Sequence, residues 1–124
     1  MRMRFVSIFI SNEDRAIDFY EGKLGFKLLV DQKTPFGGRF LMFQPPGGGT
    51  KLVMTPPIPG QPGEAGSARN IAFEVDENVE ALYEELKAKG VNFVQPPAKS
   101  FWGGLEARFV DPDGNSFLLQ QGGM

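Results

Sequence analysis

The chain has 124 residues, 41% of them hydrophobic, which is enough apolar bulk for one compact domain and too little chain for two. Thirteen basic and fifteen acidic residues give a net charge of −2, so no basic surface predicts nucleic acid or a membrane as a partner. The sequence has no cysteine and no histidine, which excludes disulfides, thiol chemistry and the commonest transition-metal ligand. It shows no targeting or membrane-spanning segment, and we therefore expect a cytoplasmic protein.

The first half of the chain is predicted to fold in the order β-α-β-β-β. Residues 4–10 alternate β-branched and aromatic side chains, which indicates a strand with two apolar faces. A helix is expected next, with Ser11 or Asn12 as its N-cap and Gly25 at its end. The spacing of Ser11 and Asp14 resembles a capping box. Further strands are expected over residues 26–30, 38–43 and 51–55.

The second half repeats this order after a change in composition. Residues 56–67 are rich in proline and glycine and are read as a linker between a first module, residues 1–55, and a second, residues 68–124. In the second module, Asp76 is expected to cap a helix that ends at Gly90. Strands are expected over residues 69–75, 91–94, 105–110 and 116–120.

The two halves align with a single offset of 65 residues, which points to a tandem duplication within one domain. The identities at this offset are Arg4 with Arg69, Ala16 with Ala81, Gly25 with Gly90, Phe36 with Phe101, and Gly49 with Gly114. Element order, caps and turns follow the same offset, so the identities belong to a common pattern.

Three segments give the chain a resemblance to a known family. They are DRAIDFY at residues 14–20, KLGF at residues 23–26 and FVDPDGN at residues 109–115. Together with the repeat, they resemble the vicinal oxygen chelate superfamily, which includes glyoxalase I, the bleomycin-resistance proteins and the extradiol dioxygenases. The resemblance implies an α+β fold in which two βαβββ modules form an open, curved, mixed sheet around a ligand cavity, commonly in a homodimer.

The resemblance also implies four metal-ligand positions, which fall on Phe5, Val53, Asn70 and Leu118. Three of these side chains have no lone pair, whereas a divalent ion needs about four strong ligands, or three and a water. We therefore expect the fold without the metal or any other cofactor. Glyoxalase and dioxygenase activities, which depend on that ion, are not expected.

If Phe5 faces the cavity, as the resemblance implies, the pleat of the strands places a mainly apolar set of side chains around it. The candidate ligand-binding residues are Phe5, Ser7, Phe9, Val53, Asn70, Ala72, Glu74 and Leu118, with Trp102 from a loop. This lining suits a small, largely apolar molecule. The alternative is that Phe5 and Phe9 fill the space and leave a packed core without a site.

Five further residues are candidates for a functional or a purely structural role. Trp102 either closes over the cavity mouth and stacks on an aromatic ligand or packs against a partner subunit. Arg39 either pairs with an anionic ligand group or is a solvated surface residue. Glu74 is taken as the only acid on the predicted cavity face and is a weak candidate for a general base, whereas Asp111 and Asp113 belong to a turn.

Three functions follow from these interpretations. The first is a metal-independent protein that binds, and so sequesters, a largely apolar ligand or antibiotic. The second is a metal-free enzyme that uses Glu74 or Asn70, and the third is an accessory dimerisation domain with a filled cavity. The expected partners are an unidentified small molecule and a second copy of the chain.

Overall fold

The computed structural model describes residues 1–76 and 78–123, which form two sheets of four strands. The first sheet contains β1 Phe5–Phe9, β2 Lys27–Lys33, β3 Arg39–Gln44 and β4 Lys51–Thr55. The second contains β5 Ile71–Glu74, β6 Asn92–Lys99, β7 Leu105–Val110 and β8 Ser116–Gln121. Helix α1, Glu13–Ile17, continues as a π-helical segment over Asp18–Lys23, and α2 spans Val79–Ala88. No helix in the described ranges is long and apolar enough to cross a membrane.

Both sheets have the same strand order, β1-β4-β3-β2 in the first and β5-β8-β7-β6 in the second. In each, the first strand runs parallel to the last and the remaining pairs are antiparallel. The predicted α+β fold of two βαβββ modules is therefore confirmed. Strand β6 is longer than expected and includes Pro96 and Pro97. It lies at the edge of its sheet, where a missing N–H disrupts the ladder least.

Of the two N-caps predicted for the first helix, Ser11 and Asn12, the structure has Asn12, whereas the second helix starts at a different residue than predicted. Asn12 caps α1 through its side chain, which accepts a hydrogen bond from the Arg15 N–H at 2.9 Å. Asn78, with a φ of 48°, caps α2 in place of Asp76. Asparagine is favoured at position 78 for two reasons. Its short side-chain amide reaches the first turn of the helix, and the residue tolerates a left-handed backbone better than most others.

One aromatic core joins the two modules. The Tyr20 ring lies 5.6 Å from Phe43 of β3 and 6.0 Å from Phe117 of β8, and Phe117 stacks on Phe109 of β7 at 5.2 Å. All four rings are buried. Because the rings of the first helical segment lie between the two sheets, each sheet turns one face towards this core and its other face away from it.

Asp111 is the centre of a buried polar network beside these rings. The Tyr20 hydroxyl donates to Asp111 Oδ2 at 2.6 Å, and Asn115 Nδ2 donates to the same oxygen at 2.8 Å. Asp111 Oδ1 accepts the backbone N–H groups of Asp113 and Asn115 at 2.9 Å each. Asn115 Nδ2 also contacts the Phe9 carbonyl at 3.2 Å, so the network connects the second module to β1.

Burial raises the pKa of the Tyr20 hydroxyl well above its ordinary value of 10.0, and the charge of Asp111 and its hydrogen bond raise it further. The unfolded state therefore ionises first, so this stabilisation is complete below pH 10.0 and is lost as the pH rises above that value. We expect the difference in unfolding free energy between the parent and Tyr20→Phe to shrink by about 1.4 kcal/mol per pH unit there. Urea titrations on both sides of that pH measure it, and parallel curves for the two proteins would contradict it.

The single offset of 65 residues holds for β4 and β8 but not for β3 and β7. Leu52 pairs with Phe43, whereas Phe117, its counterpart in the second module, pairs with Phe109, which is 66 residues after Phe43. The connection over residues 111–115 is one residue shorter than the connection over residues 45–50, which accounts for the shift. Arg108 is consequently the structural counterpart of Met42.

Candidate ligand-binding faces

The side of each sheet turned away from the shared core carries the residues predicted to bind a ligand. We call the outer face of the first sheet, with Phe5, Phe9, Phe40, Met42 and Val53, the apolar wall. We call the outer face of the second sheet, with Asn70, Glu74, Glu106, Arg108 and Gln120, the polar wall. Ser7 lies on the apolar wall, and Ala72 and Leu118 lie on the polar wall, where the register places them side by side. All predicted site residues except Trp102 are therefore on these two walls.

Neither Phe5 nor Phe9 belongs to the core of the chain. Phe5 is 43% exposed, Phe9 is half-buried, and their neighbours Val6 and Ile8 point to the core instead. The alternative in which these two phenylalanines fill a packed core is thus wrong for the single chain. The strand alternation assigns them to the opposite face.

The middle of the apolar wall is shielded although its rim is open. Val53 and Thr55 of β4 are 2% and 3% exposed. Within residues 1–76 and 78–123, the Thr55 hydroxyl finds no hydrogen-bond partner. A buried hydroxyl without a partner is costly, and this one is covered by the chain's own atoms and not open to a ligand in this structure.

The polar wall carries a chain of contacts that crosses the second sheet. Arg108 donates to Asn70 Oδ1 and lies 3.9 Å from Glu106 Oε1. Gln120 Nε2 donates to Glu106 Oε2 at 3.2 Å, and Gln95 Nε2 donates to the Glu106 carbonyl at 3.2 Å. The wall is therefore held in place before any ligand arrives.

The expectation that Glu74 is the only acid on the predicted cavity face was wrong, because Glu106 lies on the same face. The signal was present in the sequence: Glu106 and Arg108 alternate with the core residues Ala107 and Phe109 along β7. Period-two alternation assigns such a pair to one outer face. Asn70 lies on the polar wall, and its amide oxygen accepts from Arg108, a residue 38 positions away in the sequence.

The walls do not form an evident acid-base site. Glu74 is exposed and its carboxylate makes no hydrogen bond in the described part of the chain, so it lacks the desolvation that a carboxylate base requires. Asn70, with a φ of 58°, already uses its amide oxygen to accept from Arg108. Neither Glu74 nor Asn70 therefore has the environment that a catalytic residue of a metal-free enzyme would need.

The donor set does not fit the divalent cation that the fold family implies. Phe5, Val53 and Leu118 offer hydrocarbon side chains, and the Asn70 carbonyl faces the positive Arg108. The described residues contain no group of three or more His, Cys, Asp or Glu side chains placed to hold a metal ion. We derive no chemistry through a metal at these positions.

Trp102 and Arg39 each have a partner within the chain. The Trp102 ring covers Gly123 and lies so close to Gly104 that a Cβ there would be 2.6 Å from the ring. Arg39 donates to both carboxylate oxygens of Asp31 at 2.9 Å and to Asp14 at 2.8 Å, and this lowers the pKa of the Asp31 carboxyl. Arg39 thus ties α1 to the first sheet, and neither interpretation of it, as ligand partner or as solvated residue, describes it.

A separate cleft of about 680 Å³ opens on the core side, between the edge strands β1 and β5. Its floor is apolar and includes Val6, Leu24, Ile71 and Leu86. Only two of the predicted site residues, Ala72 and Glu74, reach it. This cleft was not predictable from local sequence patterns, because it forms where the two modules meet.

Comparison with known proteins supports the fold, and the names of the matched proteins point to different functions. The sequence model of the Glyoxalase/Bleomycin resistance protein/Dioxygenase superfamily matches residues 2–119. The crystal structure of TnmS3, an antibiotic binding protein from Streptomyces sp. CB03234, has a TM-score of 0.85 and 35% identity, covering 98% of this chain and 95% of that one. The uncharacterized protein YetH of Bacillus subtilis is 32% identical and covers 94% of both chains. A lactoylglutathione lyase of Neisseria meningitidis is 34% identical over 92% of this chain and 86% of its own.

Proposed function

The chain belongs to the Glyoxalase/Bleomycin resistance protein/Dioxygenase superfamily, and on that premise we propose that it binds a small, largely apolar molecule without a metal ion. The observation that carries the proposal is the apolar wall, an ordered outer face with exposed phenylalanine on a chain of net charge −2. Exposed apolar surface of this kind, bounded by polar groups, is typical of a binding face. The similarity to an antibiotic binding protein supports the same class of function.

The similarity to a lactoylglutathione lyase would favour an enzyme. We do not propose that activity for this chain, because the positions that the resemblance assigns to metal ligands are Phe5, Val53, Asn70 and Leu118. Binding needs only the complementary surface, whereas metal-assisted catalysis needs ligands that these side chains do not supply. The binding function is therefore the one that the site supports best.

We propose further that a second copy of the chain completes the site. In one copy the two walls point away from the shared core, and Phe5, Ser7, Ala72 and Glu74 are exposed. A homodimer in which the apolar wall of one copy faces the polar wall of the other would enclose a ligand on both sides. Small-molecule sites typically bury most of the ligand surface, which a single open face does not achieve.

N-phenylnaphthylamine, a neutral apolar dye that fluoresces when shielded from water, tests the binding function. We expect saturable fluorescence and a raised unfolding temperature, with the dye recovered unchanged. Phe5→Ser should weaken binding about tenfold because it removes aromatic contact area from the wall. The matched control, Phe101→Ser, changes an exposed phenylalanine on a loop and should leave the affinity within about twofold.

Two results would contradict this function. One is the absence of saturable binding to the folded protein. The other is equal affinity in Phe5→Ser and the parent, together with a loss in a variant of the cleft such as Leu82→Glu, because the dye would then occupy the core-side cleft.

A further inference from the structure

We propose that Arg108 selects the ligand: the site takes a flat apolar molecule that presents an oxygen acceptor, such as a carboxylate or sulfonate, along one edge. This inference rests on the proposed function and names the ligand class for the same site. The apolar wall would hold the body of the molecule, and the guanidinium of Arg108 would hold its oxygen edge.

The first support is the position of Arg108 on the polar wall. It lies on β7, an inner strand, directly opposite Leu118 of β8. Its side chain is 31% exposed, so it is already partly removed from water before the site closes. A ligand that contacts the middle of this wall would therefore contact the guanidinium.

The second support is the number of donors that remain on Arg108. A guanidinium has five N–H groups. In the described residues, one terminal nitrogen donates to Asn70, and the other lies 3.9 Å from Glu106, which is an ion-pair distance but too long for a hydrogen bond. The other oxygen of Glu106 accepts a hydrogen bond from Gln120, so this carboxylate does not pair with Arg108 alone.

The third support is the cost of covering this wall. An arginine that loses its water and keeps unmet donors is destabilising, whereas an oxygen anion or carbonyl would satisfy those donors in a planar, bidentate geometry. Glu74 is exposed towards the edge of the sheet and does not supply this partner within the described chain. The ligand is then the natural source of the acceptor.

The duplicated architecture provides a conservative test of the residue. Met42 holds the position in the first module that Arg108 holds in the second, opposite Val53 and Leu118 respectively. Arg108→Met therefore places on this strand a side chain that the fold already accommodates at the equivalent place. Lys99→Met is the control, because it removes an exposed cation from the same sheet at a position paired with the core-side Leu105.

Two dyes with nearly the same aromatic body separate the oxygen edge from the apolar body. Anilinonaphthalene sulfonate carries an anionic sulfonate, and N-phenylnaphthylamine lacks it. We expect the parent to bind the sulfonate about tenfold more tightly than the neutral dye, since a charge-assisted pair with arginine adds that much affinity. Arg108→Met should remove this preference by weakening the sulfonate about tenfold and changing the neutral dye less than about twofold.

The outcomes separate this inference from the function on which it rests. If both dyes bind the parent but Arg108→Met leaves the preference intact, or Lys99→Met removes it, the role of Arg108 is wrong and the binding function stands. If Arg108→Met weakens both dyes equally, the residue shapes the wall without selecting an acceptor, which also overturns the inference. If neither dye binds the folded parent, the binding function and the inference fall together.

Discussion

Replacing Asp111 with alanine is expected to lower the free energy of unfolding by about 3–4 kcal/mol. The carboxylate accepts from the Tyr20 hydroxyl, the Asn115 amide and two backbone N–H groups, and the variant removes all four of these hydrogen bonds. Asp111 is 4% exposed, so water has little access to replace it. Urea unfolding followed by circular dichroism measures the change.

Two further variants keep this prediction specific. Asp111→Asn retains one acceptor oxygen and should cost less than Asp111→Ala, because part of the network survives. Asp18→Ala removes an exposed acid from the helical segment that carries Tyr20 and should change stability by less than about 0.5 kcal/mol. A loss below about 1 kcal/mol in Asp111→Ala would show that the network does not hold the modules together.

Phe117→Ala is expected to lower the free energy of unfolding by about 3–5 kcal/mol. Phe117 is fully buried and stacks between Phe109 and Phe73, with ring centroids 5.2 Å and 5.6 Å away. Its removal leaves a cavity beside Tyr20 and the rings of Phe73 and Phe109, and packed neighbours relax only partly into such a space. Thermal and urea unfolding both report the loss.

The control for this change is Phe101→Ala, which removes the same side chain from a position that is 100% exposed. We expect an effect within about 0.5 kcal/mol there. Phe117→Leu should fall between the two alanine variants because it retains part of the buried volume. Equal effects of Phe117→Ala and Phe101→Ala would contradict the assignment of Phe117 to the core.

The fold was predictable because its signals are local and occur twice. Alternation in β1 assigned Phe5 and Phe9 to one face and Val6 and Ile8 to the other, and the structure agrees. The repeated order of elements gave two modules, and the turn over residues 111–114 followed from its proline and glycine. Element ends were less accurate, since caps such as Asn78 depend on backbone angles that the pattern does not encode.

Features that depend on contacts between modules could not be predicted in the same way. The bond from Tyr20 to Asp111 spans 91 positions in the sequence, and nothing local to either residue indicates it. The core-side cleft and the contact of the Trp102 ring with Gly123 also arise from chain segments that meet only after folding. The placement of Arg108 and Glu106 on the outer face, in contrast, was predictable, because these residues alternate with core residues along β7.

The contrast between the two walls links the duplication to function. Phe5 and Met42 on one sheet correspond to Asn70 and Arg108 on the other. The two modules therefore carry apolar side chains on one outer face and polar side chains on the other. A hydrophobic wall supplies affinity by burial, and a polar wall supplies orientation through hydrogen bonds. Under the proposed function, their separation onto two modules would let one fold bind a molecule with an apolar body and a polar edge.

The most direct test of the central claim is the dissociation constant of N-phenylnaphthylamine before and after exhaustive chelation of the same protein preparation, with metal content measured in parallel. A metal-independent binding site predicts the same constant, within about twofold, in both samples and after addition of zinc, nickel or manganese. Loss of dye binding on chelation, with recovery when one of these ions is returned at one equivalent per site, would contradict the account.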